Sequence, residues 1–360
     1  MLTVLKIVDK DNTNHPRVAS ILAAALANRE YTTIDTVSDF VHWCEKPLEQ
    51  RKGTPLLFVL PWPDMGISLA YGQWLNEILG HPNCLADCTG AILIDGPNEF
   101  FTKKKGRELI FIANQAGCSF PGKSLVEATG SLANFNILAQ IQGLDNMAAY
   151  KKSAVDLVDK LLAFNPYGNV RDHKPYILAV HASIYQTSNT LLLWDLVKKA
   201  LGDKADVEEV SLRNGEIIDC RGCTYETCLH FGENGRCFYG GVIVDKAYPA
   251  IKRCDAIVLL CPNYNDSLSA NLTAFINRLT ALFRKDFAAF ATKKFYALVV
   301  SGYSGGDIVA EQVIDALNCN KNFMLPGNFA LIETANAPKS ILQCENIEGK
   351  AAEMAQRILK

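Results

Sequence analysis

Four cysteines crowd into one short stretch, CRGCTYETCLHFGENGRC, where Cys220, Cys223, Cys228 and Cys237 are spaced C-x2-C-x4-C-x8-C. Thiolates that close in sequence can ligate a [4Fe–4S] cluster or a tetrahedral zinc ion, and the glycines and polar residues between them let the backbone wrap a metal centre. Reduced surface thiols without a metal are the third reading. His230 lies inside the segment, but a single histidine there reads as solvated rather than as a ligand. A second stretch, GCSFPGKS (Gly117–Ser124), fits the phosphate-loop pattern G-x-x-x-x-G-K-[ST] letter for letter. A working phosphate loop leaves a buried strand and opens a helix at its Lys-Ser. Here the apolar run comes after the motif, so the stretch reads as a helix-to-strand turn with Lys123 in solvent.

Three further loops carry polar chemistry. HASIYQTSNT (His181–Thr190) follows an apolar strand and precedes an amphipathic helix with Leu192, Leu193, Leu196 and Val197 on its apolar side. The hydroxyls of Ser183, Thr187, Ser188 and Thr190, with the free N–H groups of a helix start, suit a phosphate, although a plain Ser/Thr cap accounts for the same residues. CPNYNDSLS (Cys261–Ser269) and SGYSGGD (Ser301–Asp307) each follow another apolar strand. In a parallel sheet all three emerge at the carboxyl edge, where doubly wound folds bind ligands. Gly302, Gly305 and Gly306 allow backbone to approach a flat ring, and Tyr264 and Tyr303 can lie along it.

The elements that must position these loops follow from the rest of the chain. With 360 residues, 49% hydrophobic content and a net charge of -2, the protein can bury the cores of two domains, and neither nucleic acid nor an anionic membrane surface is favoured as a partner. The N-terminus reaches Asp9 and Lys10 too soon for a signal peptide, and no apolar run approaches the roughly 18 residues of a membrane span, so a cytoplasmic protein is expected. The other eight cysteines (Cys44, Cys84, Cys88, Cys118, Cys254, Cys261, Cys319 and Cys344) are scattered and read as small buried residues. No Ser/His/Asp set, H-E-x-x-H or G-x-G-x-x-G is present to support a hydrolase or a Rossmann dehydrogenase.

A stretch rich in Pro, Gly, Asn and charge, FNPYGNVRDHKP, divides the chain almost evenly. On either side the order of strand, small polar turn and helix repeats. Leu56–Leu79 aligns with Ala256–Leu279, pairing Pro61 with Pro262, Ser68 with Ser269, Trp74 with Phe275 and Asn76 with Asn277; GAILIDG matches YALVVSG, and PGKSLVE matches PGNFALIE. This predicts a tandem duplication of an α/β domain with a doubly wound parallel sheet. The expected boundaries are residues 1–164, a linker at 165–174, and 175–360 with a Cys-rich insertion at 212–245.

The order HASIYQTSNT, PNYNDSLSANLTAFINRL and SGYSGG resembles the flavodoxin-like NADPH-dependent FMN reductases, and the cysteine segment resembles that of the iron-sulfur flavoproteins among them, though their spacing is the tighter C-x2-C-x2-C. The likeness covers Pro175 to about Ala337, and the first half only through the repeat. It implies an FMN-dependent oxidoreductase in which Ser183, Thr187, Ser188, Asn189 and Thr190 hold the FMN phosphate. Pro262, Asn263, Tyr264, Asn265 and Ser267 would flank the isoalloxazine, and Ser301, Gly302, Tyr303, Gly305 and Gly306 would close its other side. It further implies NAD(P)H or a ferredoxin-like carrier as electron partner, a cluster held by the four crowded cysteines, and dimers of the family's kind. The alternative is a flavodoxin-like binding module, without catalysis, stapled by zinc. In the first half Asp9 and Asp11 would repel a phosphate, and DGPNEFFTKKKGRE stands where the glycine pair should be. One FMN per chain is therefore expected, with the first half a degenerate copy covering it as an internal pseudo-subunit.

Overall fold

The computed structural model describes residues 1–9, 15–64, 66–168, 173–213 and 217–360. Asp11 and residues 169–172 of the expected linker lie outside them. The chain divides into two compact units, Met1–Pro166 with Pro326–Asn328, and Tyr167–Leu325 with Phe329–Lys360.

The first unit is a five-stranded sheet of β1 (Leu2–Lys6), β2 (Tyr31–Ile34), β3 (Pro55–Pro61), β4 (Thr89–Asp95) and β5 (Leu125–Ala128). The second holds β6 (Tyr176–His181), β7 (Asp206–Ser211), β8 (Ala256–Pro262), β9 (Lys294–Ser301) and β10 (Ala330–Thr334). The strand orders are β2-β1-β3-β4-β5 and β10-β9-β8-β6-β7, the same topology read from opposite edges, and every pair is parallel. Both units are thus doubly wound, flavodoxin-like α/β domains. The central strands read as unbroken apolar runs because helices cover both faces: β4 and β9 are buried along their whole length. The edge strands β2 (YTTI) and β7 (DVEEVS) carry the polar residues that an edge tolerates.

The repeat extends to detail. Ser68 and Ser269 each cap the helix after the second inner strand, accepting from Tyr71 N at 3.0 Å and Leu272 N at 3.4 Å respectively. Trp74 and Phe275 are both fully buried. GCSFPGKS runs from the end of helix Thr102–Gln115 into β5, the reverse of a phosphate loop. In helix Asn189–Leu201 the core face is Leu191, Leu193, Trp194, Val197 and Leu201; Leu192 and Leu196, expected inside, are only partly buried. The helix is rotated because the large indole of Trp194 takes the central position on the sheet.

At the carboxyl edge of the first sheet a charged pair lines a cavity of about 300 Å³. Arg17, in the first turn of helix Pro16–Ala25, donates through Nε to both Asp95 carboxylate oxygens at 3.1 and 3.0 Å. Its terminal nitrogens also reach Asp95, Gly96 O at 2.8 Å and Gly130 O at 3.2 Å. Buried Tyr150 donates to Asp95 Oδ2 at 3.0 Å. Asp95 is the repeat partner of Ser301, so a carboxylate with its own cation stands where the second unit has a hydroxyl. Asp95→Ala would strand Arg17 and the Tyr150 hydroxyl. Since Arg17 keeps 25% of its side chain exposed, the cost belongs at the low end of the range for broken buried pairs, about 3 kcal/mol. Urea unfolding should show that loss in the first unit, and an unchanged midpoint would contradict it.

Candidate functional site

Strands β6, β8 and β9 end side by side at His181, Pro262 and Ser301, so the three polar loops share one edge of the second sheet. The first loop sorts its residues into different tasks. Ser188 caps helix Asn189–Leu201, its Oγ accepting from Leu191 N at 3.2 Å. The Asn189 amide is taken up by Ala335 O at 3.0 Å and Ala337 O at 2.8 Å, which ties the helix start to the chain beyond β10. Thr190 is buried and Thr187 exposed. Ser183 differs from all of them: it is 5% exposed, and its Oγ has no hydrogen-bond partner.

His181 lies beneath that loop, 3% exposed, with Nδ1 also unpartnered and its ring edge-on to Tyr185 at 5.8 Å. Burial lowers its pKa, with Glu209 and the Ser183 backbone pulling weakly the other way. Glu209 on β7 organises the surroundings, accepting from the Tyr185 hydroxyl, from Trp194 Nε1 at 3.0 Å and from Lys198 Nζ at 2.7 Å. The Tyr185 bond pins the loop tip to the edge strand.

The second and third loops are joined through Asn263. Its Nδ2 reaches Ser304 O at 2.8 Å, Ser301 Oγ at 3.1 Å and Asp266 Oδ1 at 3.2 Å, while its buried Oδ1 has no partner. Asn265 and Asp266 take left-handed backbone, φ 53° and 56°, to make that turn. Gln312 closes it, donating to Asp266 O and accepting from Leu268 N, both at 3.1 Å. Gly305 has φ +80°, and a Cβ there would come within 2.0 Å of Asp266 Oδ1, so only glycine fits. Gly306 lets the next helix start against Ile332. Tyr264 and Tyr303 are 54% and 80% exposed, and the Tyr303 hydroxyl accepts from Asn336 at 2.7 Å. Sequence reasoning missed Glu209, Gln312 and Asn336, which carry no motif and act through long-range contacts.

The edge therefore presents an orphaned hydroxyl and an orphaned amide oxygen between exposed aromatic faces. Residues 175–337 match the family described as NADPH-dependent FMN reductase. No curated protein matches the chain. Among solved structures, RosB with a bound intermediate aligns at 18% identity over 51% of this chain and 74% of its own, TM-score 0.37. An FMN-dependent NADH-azoreductase from Bacillus anthracis in complex with FMN aligns at 11% identity over 52% of this chain and 100% of its own, TM-score 0.36. The NADH:FMN oxidoreductase EmoB, in its apo form, aligns at 14% over 51% and 88%, TM-score 0.36.

The second unit carries its cysteine segment between β7 and β8. Cys220, Cys223, Cys228 and Cys237 all line one cavity of 120 Å³, with Phe231, Phe238 and Tyr239 around them. Among the described residues no three Cys, His, Asp or Glu side chains converge closely enough to hold a metal ion. Arg278, on helix Ala270–Lys285, also lines the cavity; it is 2% exposed and has an unpartnered Nε. Its two terminal nitrogens donate to Ile218 O at 3.0 Å and Gly240 O at 2.8 Å, clamping the segment at both ends. His230 is exposed, as its isolation suggested.

The His181 shift sets a pH dependence. The native pKa lies below the unfolded value of about 6.5, so between the two the unfolded chain binds the proton first and stability falls as pH drops. Above about pH 7 the contribution is flat. Unfolding free energies from pH 5 to 8 should show this slope for the second unit, and His181→Gln should remove it; a slope that survives the substitution would assign it elsewhere.

Proposed function

We propose that the protein is an FMN-dependent oxidoreductase that takes reducing equivalents from NAD(P)H, with FMN at the carboxyl edge of the second sheet. The observation that carries this reading is the pair of buried, unpartnered atoms, Ser183 Oγ and Asn263 Oδ1, at the place where a doubly wound sheet binds its ligand. A buried polar atom left without a partner is costly, and a bound phosphate and ring would satisfy both. FMN there supplies hydride-accepting, two-electron chemistry.

The chain's own residues prepare the place. Ser183 donates to the phosphate, aided by Thr187 and the N–H groups opening helix Asn189–Leu201, whose positive end favours the charge. Ser188 and Asn189 hold that helix start in position, and Thr190 is buried within its first turn. Pro262, Asn263, Tyr264, Asn265 and Ser267 form one wall for the ring, and Ser301, Gly302, Tyr303, Gly305 and Gly306 form the other. In the first unit the corresponding edge carries the Asp95 carboxylate paired with Arg17, and a carboxylate there repels a phosphate, which supports one FMN per chain.

The four-cysteine segment fits an iron-sulfur cluster better than zinc. Zinc–sulfur bonds of about 2.3 Å in a tetrahedron require sulfurs about 3.8 Å apart. Here the thiols stand around a cavity instead of converging. A buried guanidinium with a free donor beside them suits a negatively charged centre. Such a centre would exchange single electrons with a ferredoxin-like carrier.

Ser183→Ala separates ligand binding from folding, because an unpartnered hydroxyl has no internal bond to lose. FMN affinity should drop by about ten- to a hundredfold, the worth of a charged hydrogen bond, with the unfolding midpoint unchanged; unaltered affinity would refute the phosphate assignment. The native protein, purified anaerobically, should contain one FMN per chain together with iron and sulfide. Cys223→Ala should lose the iron and keep the flavin. Stoichiometric zinc without iron would favour the binding-module reading.

A further inference from the structure

The loop that opens the second unit's ligand edge contains no permanent cation. Residues 181–190, HASIYQTSNT, include neither Lys nor Arg, and the one group among them that can become positive is His181. A phosphate monoester carries about 1.5 to 2 negative charges at pH 7. The positive end of helix Asn189–Leu201 offsets roughly half a charge of that. The charges around His181 are already committed. Lys198, on the same helix, pairs with Asp195 at 3.0 Å and with Glu209 at 2.7 Å. Glu209, on β7, also accepts from Tyr185 and Trp194. Burial and the Glu209 bond push the Tyr185 hydroxyl up to about 12, so it stays neutral. On the other side β8 sets the uncharged Leu260 beside His181. Arg213, two residues beyond the Ser211 that pairs with His181, is exposed.

His181 itself is open to a proton. Its side chain is 3% exposed and its Nδ1 has no hydrogen-bond partner, and two residues on the buried Ser183 Oγ has none either. A neutral imidazole has one donor and one acceptor nitrogen, and protonation makes both of them donors. With the edge empty, a proton on this ring would meet neither an acceptor nor a negative charge to offset its burial. We propose that His181 takes up one proton when the FMN phosphate binds at the Ser183 loop, and so supplies the positive charge that the loop's sequence lacks. The inference rests on the FMN reading given above.

One proton moves from solvent to the imidazole; no bond to FMN forms or breaks and no electron is transferred. Charge suffices for the effect, because a negative group close by in a partly desolvated site favours the imidazolium without having to touch it. Burial holds the ring neutral in the empty protein, with a pKa below its ordinary value, and the phosphate raises it in the complex. The sign of the pH dependence follows by linkage. The added affinity is complete below the pKa of the empty protein and is lost as pH rises through the higher pKa of the complex. His181 is thus a charge-compensating residue for the phosphate and takes no part in the chemistry of the ring.

The test is titration calorimetry of the full-length protein, freed of flavin, with FMN and with riboflavin, which has the same ring and no phosphate. Each titration is run in two buffers of different ionisation enthalpy between pH 7 and 8, above the second ionisation of the phosphate near about pH 6, so that the heats report the protons taken up. FMN should take up more protons than riboflavin, by up to one per site, and its affinity should rise by up to about tenfold per pH unit as pH falls. His181→Gln should abolish the extra uptake and weaken FMN by about ten- to a hundredfold at pH 7, leaving riboflavin unchanged. The proposal is overturned if FMN and riboflavin bind the native protein with the same proton count, or if His181→Gln keeps the uptake. Arg213 is permanently charged and cannot produce that signal. A native protein that binds neither flavin overturns the FMN reading itself and this inference with it, which sets that failure apart from FMN binding without proton uptake. The comparison of the two flavins on the native protein decides the matter even if the variant fails to fold.

Discussion

Parallel pairing is the constraint on which both halves of this protein depend. Strands that all run one way cannot be joined by hairpins, so each must be followed by a helix that crosses back over the sheet. Every strand-to-helix loop is thereby delivered to one edge and every return loop to the other. The apolar runs of β3, β4, β8 and β9 need no instruction about chemistry; covering them on both faces is enough to bring residues 181–190, 262–269 and 301–306 together. The opposite edge is left for structural work, and there Arg51 and the first unit's cysteines sit.

The two units show two ways of filling the same edge. A doubly wound sheet leaves a crevice where its strand order reverses, and the exposed backbone dipoles there must meet either a ligand or the protein's own groups. In the first unit, Arg17 bonds to the carbonyls after β4 and β5, and Asp95 neutralises it. In the second, Asn189 makes the corresponding tie to Ala335 and Ala337 with a neutral amide, and Ser301 replaces the acid. The neutral version anchors the helix without bringing a carboxylate to its positive end. One charged pair thus stands in the first unit at the edge where the second unit carries neutral polar groups.

Much of this was legible in the sequence because it is written in local periodicity. Pro61 with Pro262 and Ser68 with Ser269 could be aligned since each marks a strand end or a helix cap, and the structure gives both members of each pair the same job. The strand-helix order likewise disposed of GCSFPGKS. What escaped depends on distance along the chain. Nothing near Gln312 announces that it closes the turn at Asp266, and the rotation of helix Asn189–Leu201 follows from how Trp194 packs on strands whose sequences lie elsewhere. The eight dispersed cysteines carry no spacing signal, yet Cys84 and Cys88 both bond to Arg51, one through its carbonyl and the other through its thiol. Spacing reveals a site only when its members share a segment, as Cys220 to Cys237 do.

The clamp made by Arg278 has a consequence for how such a protein can change over time. One side chain, rooted in a helix of the sheet's own framework, fixes the carbonyls of Ile218 and Gly240 and so sets the span between the two ends of the intervening segment. Everything between those anchors lies outside the hydrogen-bond ladder of the sheet. Length and composition there can differ without disturbing the strands. The segment is thus mounted on the framework helix and not on the strands, so that a change within it leaves the pairing of the sheet untouched.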